Sequence, residues 1–162
     1  MADAKGSMGQ REGYPGHGLG AILIDEDQAL LRNMVLPSSW YAVGVLLRLE
    51  MTAAAILSKG DRRALLREMG RFSADTNLAP AGVLRPFVRD GDPAFLLDNL
   101  PRIYSAQHST GRRTYDRTGT TSGLVRHFDT EAVDTDDCLT TVGWLERALE
   151  INSDDSQANH IM

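Results

Sequence analysis

The chain has 162 residues of which 42% are apolar, enough for one domain with a core of its own. Seventeen Lys and Arg stand against 22 Asp and Glu, a formal charge of −5 with a pI near 5.3, so no global positive field gathers phosphate backbones and no nucleic-acid partner is expected. Apolar runs such as Val43–Leu47 fall far short of the roughly 20 residues of a membrane helix, and Arg48 and Glu50 interrupt the richest one, so no membrane span is expected.

Residues 1–20 are glycine-rich and aperiodic, with little burial to offset the entropy of ordering them, and a disordered N-terminal tail is expected there. They lack the apolar centre of a secretory signal, and the single Cys138 cannot form an internal disulfide; together these set a cytoplasmic location as the expectation. One domain is expected over 21–151. The acidic group Asp25-Glu26-Asp27 suits the N-terminus of a short helix near 25–33.

Leu36-Pro37-Ser38-Ser39 is a helix-start signal, because proline stops the preceding helix and a serine oxygen can cap the next. That helix should run to about Ser58. Its apolar residues, among them Trp40, Val43, Leu46, Leu47, Met51, Ala54 and Leu57, cover more than one face, which marks it as the central buried helix. Lys59-Gly60 ends it, and Asp61 caps a helix carrying Leu65, Leu66, Met69 and Phe72. On that helix Gly70, Ser73 and Ala74 make a small-residue face; Gly70 costs about 1 kcal/mol of helix propensity relative to Ala, so close approach of another backbone explains its presence.

Ala79-Pro80-Ala81-Gly82 breaks the pattern before a short apolar turn with Val83, Leu84, Phe87 and Val88. Asp90-Gly91-Asp92-Pro93 then places a cap and a first-turn proline ahead of the stripe Phe95, Leu96, Leu97, Leu100, Ile103 and Tyr104. Pro101 lies inside that stripe, so the element is either kinked or is two short helices meeting at Asn99-Leu100. Thr114–Thr118 and Gly123–Phe128 flank a glycine-containing loop and predict an antiparallel hairpin, with Leu124, Arg126 and Phe128 on one face and Val125 and His127 on the other. An acid-led helix follows from Asp134, with Cys138, Val142, Leu145 and Leu149 on its core face and Trp144, Ala148 and Ile151 beside them; 152–162 is a polar tail or the start of an incomplete strand. The fold class is therefore α+β, a predominantly helical layer on a small antiparallel sheet near the C-terminus.

The residues able to do chemistry are scattered. His17, His108, His127 and His160 form no pair at helical metal-binding spacing, and Ser38-Ser39 and Ser109-Thr110 have no neighbouring base. Asp134, Asp136 and Asp137 suit a helix cap, and Arg62, Arg63, Arg67 and Arg71, like Arg112, Arg113 and Arg117, suit solvated faces. No catalytic residue, metal ligand or cofactor is assigned. The alternative is a small metal- or cofactor-binding enzyme in which His108, His127 and Cys138 converge.

Four stretches carry a resemblance: Leu36-Pro37-Ser38-Ser39-Trp40-Tyr41, Leu66-Arg67-Glu68-Met69-Gly70-Arg71, Pro93–Leu97 with Leu100-Pro101-Arg102-Ile103-Tyr104, and Gly143-Trp144-Leu145-Glu146-Arg147-Ala148-Leu149-Glu150. Over about residues 30–151 they resemble small myxobacterial proteins of unassigned function, distantly similar to the superfamily of heme-nitric-oxide-binding domains, four-vinyl-reductase-type ligand domains and TRAPP vesicle-tethering subunits. The resemblance implies helices against a small antiparallel sheet and an apolar pocket or groove. No position matches the heme-ligating histidine, and the closing hairpin of the four-vinyl-reductase type would begin where the sequence ends, so either the final sheet is smaller here or its strands come from a partner or a further segment; an unpaired terminal strand would leave an edge for a homodimer or another protein partner. The expected function is a non-enzymatic regulatory, sensory or protein-interaction domain with a small apolar ligand as one class of partner. The helix faces nominate Trp40, Leu47, Phe72, Phe95 and Tyr104 as residues approaching such a pocket.

Overall fold

The structure, a computed structural model, describes residues 23–33, 35–36, 39–129 and 135–153. The tail expected over 1–20 and most of that expected over 152–162 lie outside the described residues. The fold is α+β: among the described residues, six α-helices and one two-stranded antiparallel sheet.

The centre of the molecule is a parallel pair of long helices, α3 (Arg62–Leu78) and α6 (Thr135–Asn152). Their direction follows from their ion pairs: Arg67 meets Glu146 and Arg71 meets Glu150, so both chains advance together. Asp61 caps α3 by accepting from the Ala64 amide at 3.0 Å, as its position predicts. Leu66, Gly70, Ala74 and Leu78 are the buried residues of α3, one every turn. Phe72 and Ser73 lie off this stripe and are exposed, so the small-residue face is Gly70 and Ala74.

Gly70 has the role its composition suggests. A Cβ there would stand 1.9 Å from the Thr140 carbonyl oxygen of α6, and Gly143 answers it, since its own Cβ would stand 1.9 Å from that of Arg67. Side chains would force the helices apart at both points. Salt bridges flank the seam, with Arg147 joining Asp75 at 2.7 Å and Glu150 at 2.9 Å.

The helix expected to be central is not. It is α2 (Val43–Leu57), and it buries only Thr52 and Ala54, while Leu46, Ile56 and Leu57 are 51%, 43% and 60% exposed. Its apolar residues are spread around the whole circumference, and α3 with the small helix α1 (Asp25–Arg32) covers only part of it. It also starts later than expected, at Val43, with no side-chain cap. The buried Asp27 of α1 ties the two helices, receiving Arg48 Nε and Nη2 at 2.6 and 2.7 Å.

After α3, Gly82 packs against the chain so closely that a Cβ would sit 2.2 Å from the Asn77 carbonyl oxygen, and a 3₁₀ turn, Arg85–Phe87, follows. The Pro101 stripe resolves into two helices, α4 (Pro93–Asp98) and α5 (Leu100–Gln107), meeting at Asn99 with a proline in the first turn of each. Asp92 caps α4 through the Phe95 amide at 3.0 Å. The core gathers Ala74, Leu78, Leu84, Leu96, Leu100, Ile103 and Ala148, with Phe87, Leu97, Val125, Trp144 and Leu145 packed around it.

The hairpin forms as β1 (Arg112–Arg117) and β2 (Gly123–Phe128), paired Arg112 to Phe128 through Arg117 to Gly123. Val125 reaches the core. On α6, Leu145 packs half-buried against the core with Ala148 fully buried beside it, as expected, and Gly143, Glu146 and Asn152 are buried too, whereas Cys138 is exposed, a correction to the expected face. The helix turns toward α3 its smallest and its ion-pairing residues, because the close crossing leaves no room for larger apolar ones. Asn152, expected to open the tail, is instead the last helical residue and fully buried, donating to the Ala148 carbonyl at 2.8 Å and accepting from the Arg89 amide at 2.9 Å.

Candidate functional site

The glycine crossing does more than join two helices. Gly70 and Trp144 line a cleft of about 290 Å³ whose other walls are Leu46 and Glu50 of α2, Met69, Ser73 and Asn77 of α3, Ile103, Gln107 and His108 at the end of α5, Arg113 of β1, and Thr140 and Thr141 of α6. That size sits at the lower edge of small-ligand sites. Its lining is mixed: Leu46, Met69, Ile103 and Trp144 give apolar surface, and hydroxyls, amides, a carboxylate, an imidazole and a guanidinium stand between them.

The rim at α5 and the hairpin is organised around Tyr104. Its ring stacks on His108 with centroids 4.2 Å apart and 12° between planes, meets the His127 ring edge-on at 6.1 Å, and carries the Arg113 guanidinium 5.0 Å from its centroid. The Tyr104 hydroxyl donates to the Thr110 carbonyl at 3.2 Å. Gly111, at φ 70°, makes the turn from α5 into β1; a Cβ there would meet the Phe128 and Asp129 carbonyl oxygens at 2.9 Å and the Tyr104 hydroxyl at 3.0 Å.

This packing lowers the basicity of both histidines. Burial comes first and the Arg113 charge second, holding His108 below its ordinary 6.5. His127 is lowered to about 4 by burial, then Arg113, then His108. Both rings are therefore neutral near pH 7, each with one donor and one acceptor nitrogen.

The convergence of His108, His127 and Cys138 is realised only in part. The two histidines flank Tyr104, while Cys138 is exposed on α6, and among the described residues no group of three His, Cys, Asp or Glu is placed to hold a metal ion. The five nominated pocket residues are likewise dispersed. Trp40 and Phe72 are 65% and 73% exposed, Leu47 is half-buried beside the lining residue Leu46, and Phe95 lies under the Arg89 guanidinium at 3.4 Å. Tyr104 is buried and backs the cleft through His108. Glu50, Asn77, Gln107, Thr140 and Thr141 were not nominated; the one sequence signal pointing to them is the mid-helix Gly70, which brings α6 against α3.

A second feature is apolar and outward. Leu46 and Leu57 are eleven residues apart on α2, about three turns, so they share a face, with Ala53 and the cleft residue Glu50 between them. Trp40 and Tyr41, just before the helix, are also exposed, at 65% and 41%.

The fold and these two surfaces define a class: an α+β protein with a glycine-crossed parallel helix pair, a small cleft beside the crossing and an apolar helix face open to solvent. No family model matches the chain and no curated protein matches it. No helix among the described residues is long and apolar enough to cross a membrane.

Proposed function

We propose that this chain is a non-enzymatic regulatory or protein-interaction domain that docks a partner on the outer face of α2. The observation that carries the reading is the exposure of Leu46, Ile56 and Leu57 on a helix whose mean composition belongs in a core, together with exposed Trp40 and Tyr41 at its entrance. Scattered apolar residues are ordinary on a protein surface, but an aligned helical face of them with aromatic residues at one end is the pattern of a helix-binding interface.

The cleft supports a second reading within the same class, a small ligand regulating the partner. Leu46 belongs to both surfaces, so occupation of the cleft would be felt at the start of the apolar face. Size-exclusion profiles of source-cell extract test the main reading. The chain should elute in a species larger than its 17.7 kDa mass, and a chain carrying Ile56→Ser and Leu57→Ser should elute as the monomer. Elution of the unsubstituted chain as a monomer contradicts it.

A further inference from the structure

On the side of the molecule built by the hairpin, we propose a separate binding edge: β2 receives an extended acidic segment of another protein as an added antiparallel or parallel strand. The hairpin is a sheet of only two strands, so β2 is paired with β1 along one edge and turns its other edge away from it, and of the two strands it is β1 that lies against α5. Among the described residues no strand pairs with its outer edge. An outer strand presents a row of backbone donors and acceptors, which is the template used in strand addition.

Charge selects the occupant. Residues 112–128 hold four arginines against one aspartate in a chain whose net charge is −5. Arg126 stands on β2 itself and is joined to Asp116 across the hairpin. Arg112 lies 3.9 Å over the Phe128 ring, and Arg117 donates to the carbonyls of Gly119 and Thr120 at 3.2 and 3.0 Å; among the described residues neither forms an ion pair. These side chains on β1 are one strand spacing, about 4.8 Å, behind the receiving edge and so within the Debye length of about 8 Å. A second copy of the chain is a poor occupant, since edge-to-edge pairing would set Arg126 near its twin and two positive hairpins side by side. Glutamates or aspartates on an incoming strand meet the opposite condition. A nucleic acid could use the charge but not the backbone edge.

The test uses the full chain and a fluorescein-labelled peptide of alternating Glu and Thr, about ten residues long so as to exceed the span of β2. Three other probes are compared: the same peptide N-methylated on alternate amides, its Lys counterpart, and a single-stranded oligonucleotide of equal charge. The acidic peptide should raise anisotropy on titration, more weakly as salt is added; the N-methylated and Lys peptides should not. The chain carrying Arg117→Gln and Arg126→Gln, with an unchanged circular dichroism spectrum, should bind the acidic peptide several-fold more weakly. Equal binding of the N-methylated peptide, tighter binding of the oligonucleotide, self-association through the hairpin, unaltered affinity of the double variant, or no binding of the acidic peptide would each overturn the proposal.

Discussion

Gly70 of α3 and Gly143 of α6 each lie against the backbone of the other helix, a reciprocal contact in which a Cβ on either would come within 1.9 Å of a carbonyl oxygen. The fold depends on that spacing, because the ion pairs Arg67 to Glu146 and Arg71 to Glu150 bridge the same seam on side chains of fixed reach. Ala gains about 1 kcal/mol over Gly in helix propensity, whereas overpacking against backbone costs about 1–3 kcal/mol or more. Steric cost wins here because a backbone oxygen, unlike a side chain, cannot rotate away. Gly70→Ala and Gly143→Ala should each lower the urea midpoint, and the double variant should cost less than the sum, since one separation of the helices relieves both clashes. Unchanged midpoints would mean that the helices cross at a larger distance.

Asn152 closes α6 by binding two backbone groups at once, the Ala148 carbonyl and the Arg89 amide. Asn152→Ala leaves the part-buried Arg89 amide without its acceptor on α6, a loss of about 0.5–1.5 kcal/mol. Asn152→Asp keeps an acceptor but sets a carboxylate in a fully buried position and should be no better tolerated. Urea denaturation of both variants measures this, and a neutral Asn152→Ala would detach Arg89 from α6.

Acid should weaken the fold in two stages. His127, lowered to about 4, and His108, lowered below 6.5, stay neutral in the folded chain while the unfolded chain takes up protons from about pH 6.5 downward. The unfolded state then binds more protons, so stability is full above 6.5 and declines as pH falls toward 4, with a shallow slope because His127 is exposed and water screens most of its effect. Hydrogen bonds from Arg48 hold the Asp27 carboxyl below its ordinary 3.8, and those from Arg71 hold Glu150 below 4.5. Their contribution is present above those ordinary values and is lost as pH falls through the lower folded ones. A pH series of urea midpoints should therefore fall monotonically from pH 7 to pH 3; a flat stretch between 6.5 and 4 would remove the histidines from the account.

Much of the fold is legible in the residues because punctuation is local. Asp61, Asp92 and Pro93 start helices where they stand, and the Gly-containing loop makes the hairpin. Gly70 announced a close crossing, though not its partner, since a helix cannot name from its own spacing the helix it meets. The burial of α2 was misread for a related reason: apolar residues on every side of a helix are compatible with a core or with a bound partner, and the difference lies in what the rest of the chain places beside them. Cleft residues such as Asn77 and Thr140 carry no distinctive spacing and become neighbours only through the crossing.

Leu57→Ser and Phe72→Ser should leave stability within about 0.5 kcal/mol of the unsubstituted chain, because both side chains are largely in water already, at 60% and 73% exposure. Leu100→Ala, by contrast, empties a fully buried position and should cost about 2–5 kcal/mol. Thermal or urea denaturation separates the two cases, and a large loss from Leu57→Ser would show that α2 is packed on its outer side.

The docking face of α2 is tested most directly by site-specific photo-cross-linking in the source cell. A photoreactive phenylalanine replaces Leu57 in one chain and the exposed Ala106 of α5 in a control. A discrete adduct at Leu57, absent at Ala106, is the predicted result, and its mass distinguishes a second copy from another protein. No adduct at Leu57, or the same products from both positions, would contradict an interaction surface on α2.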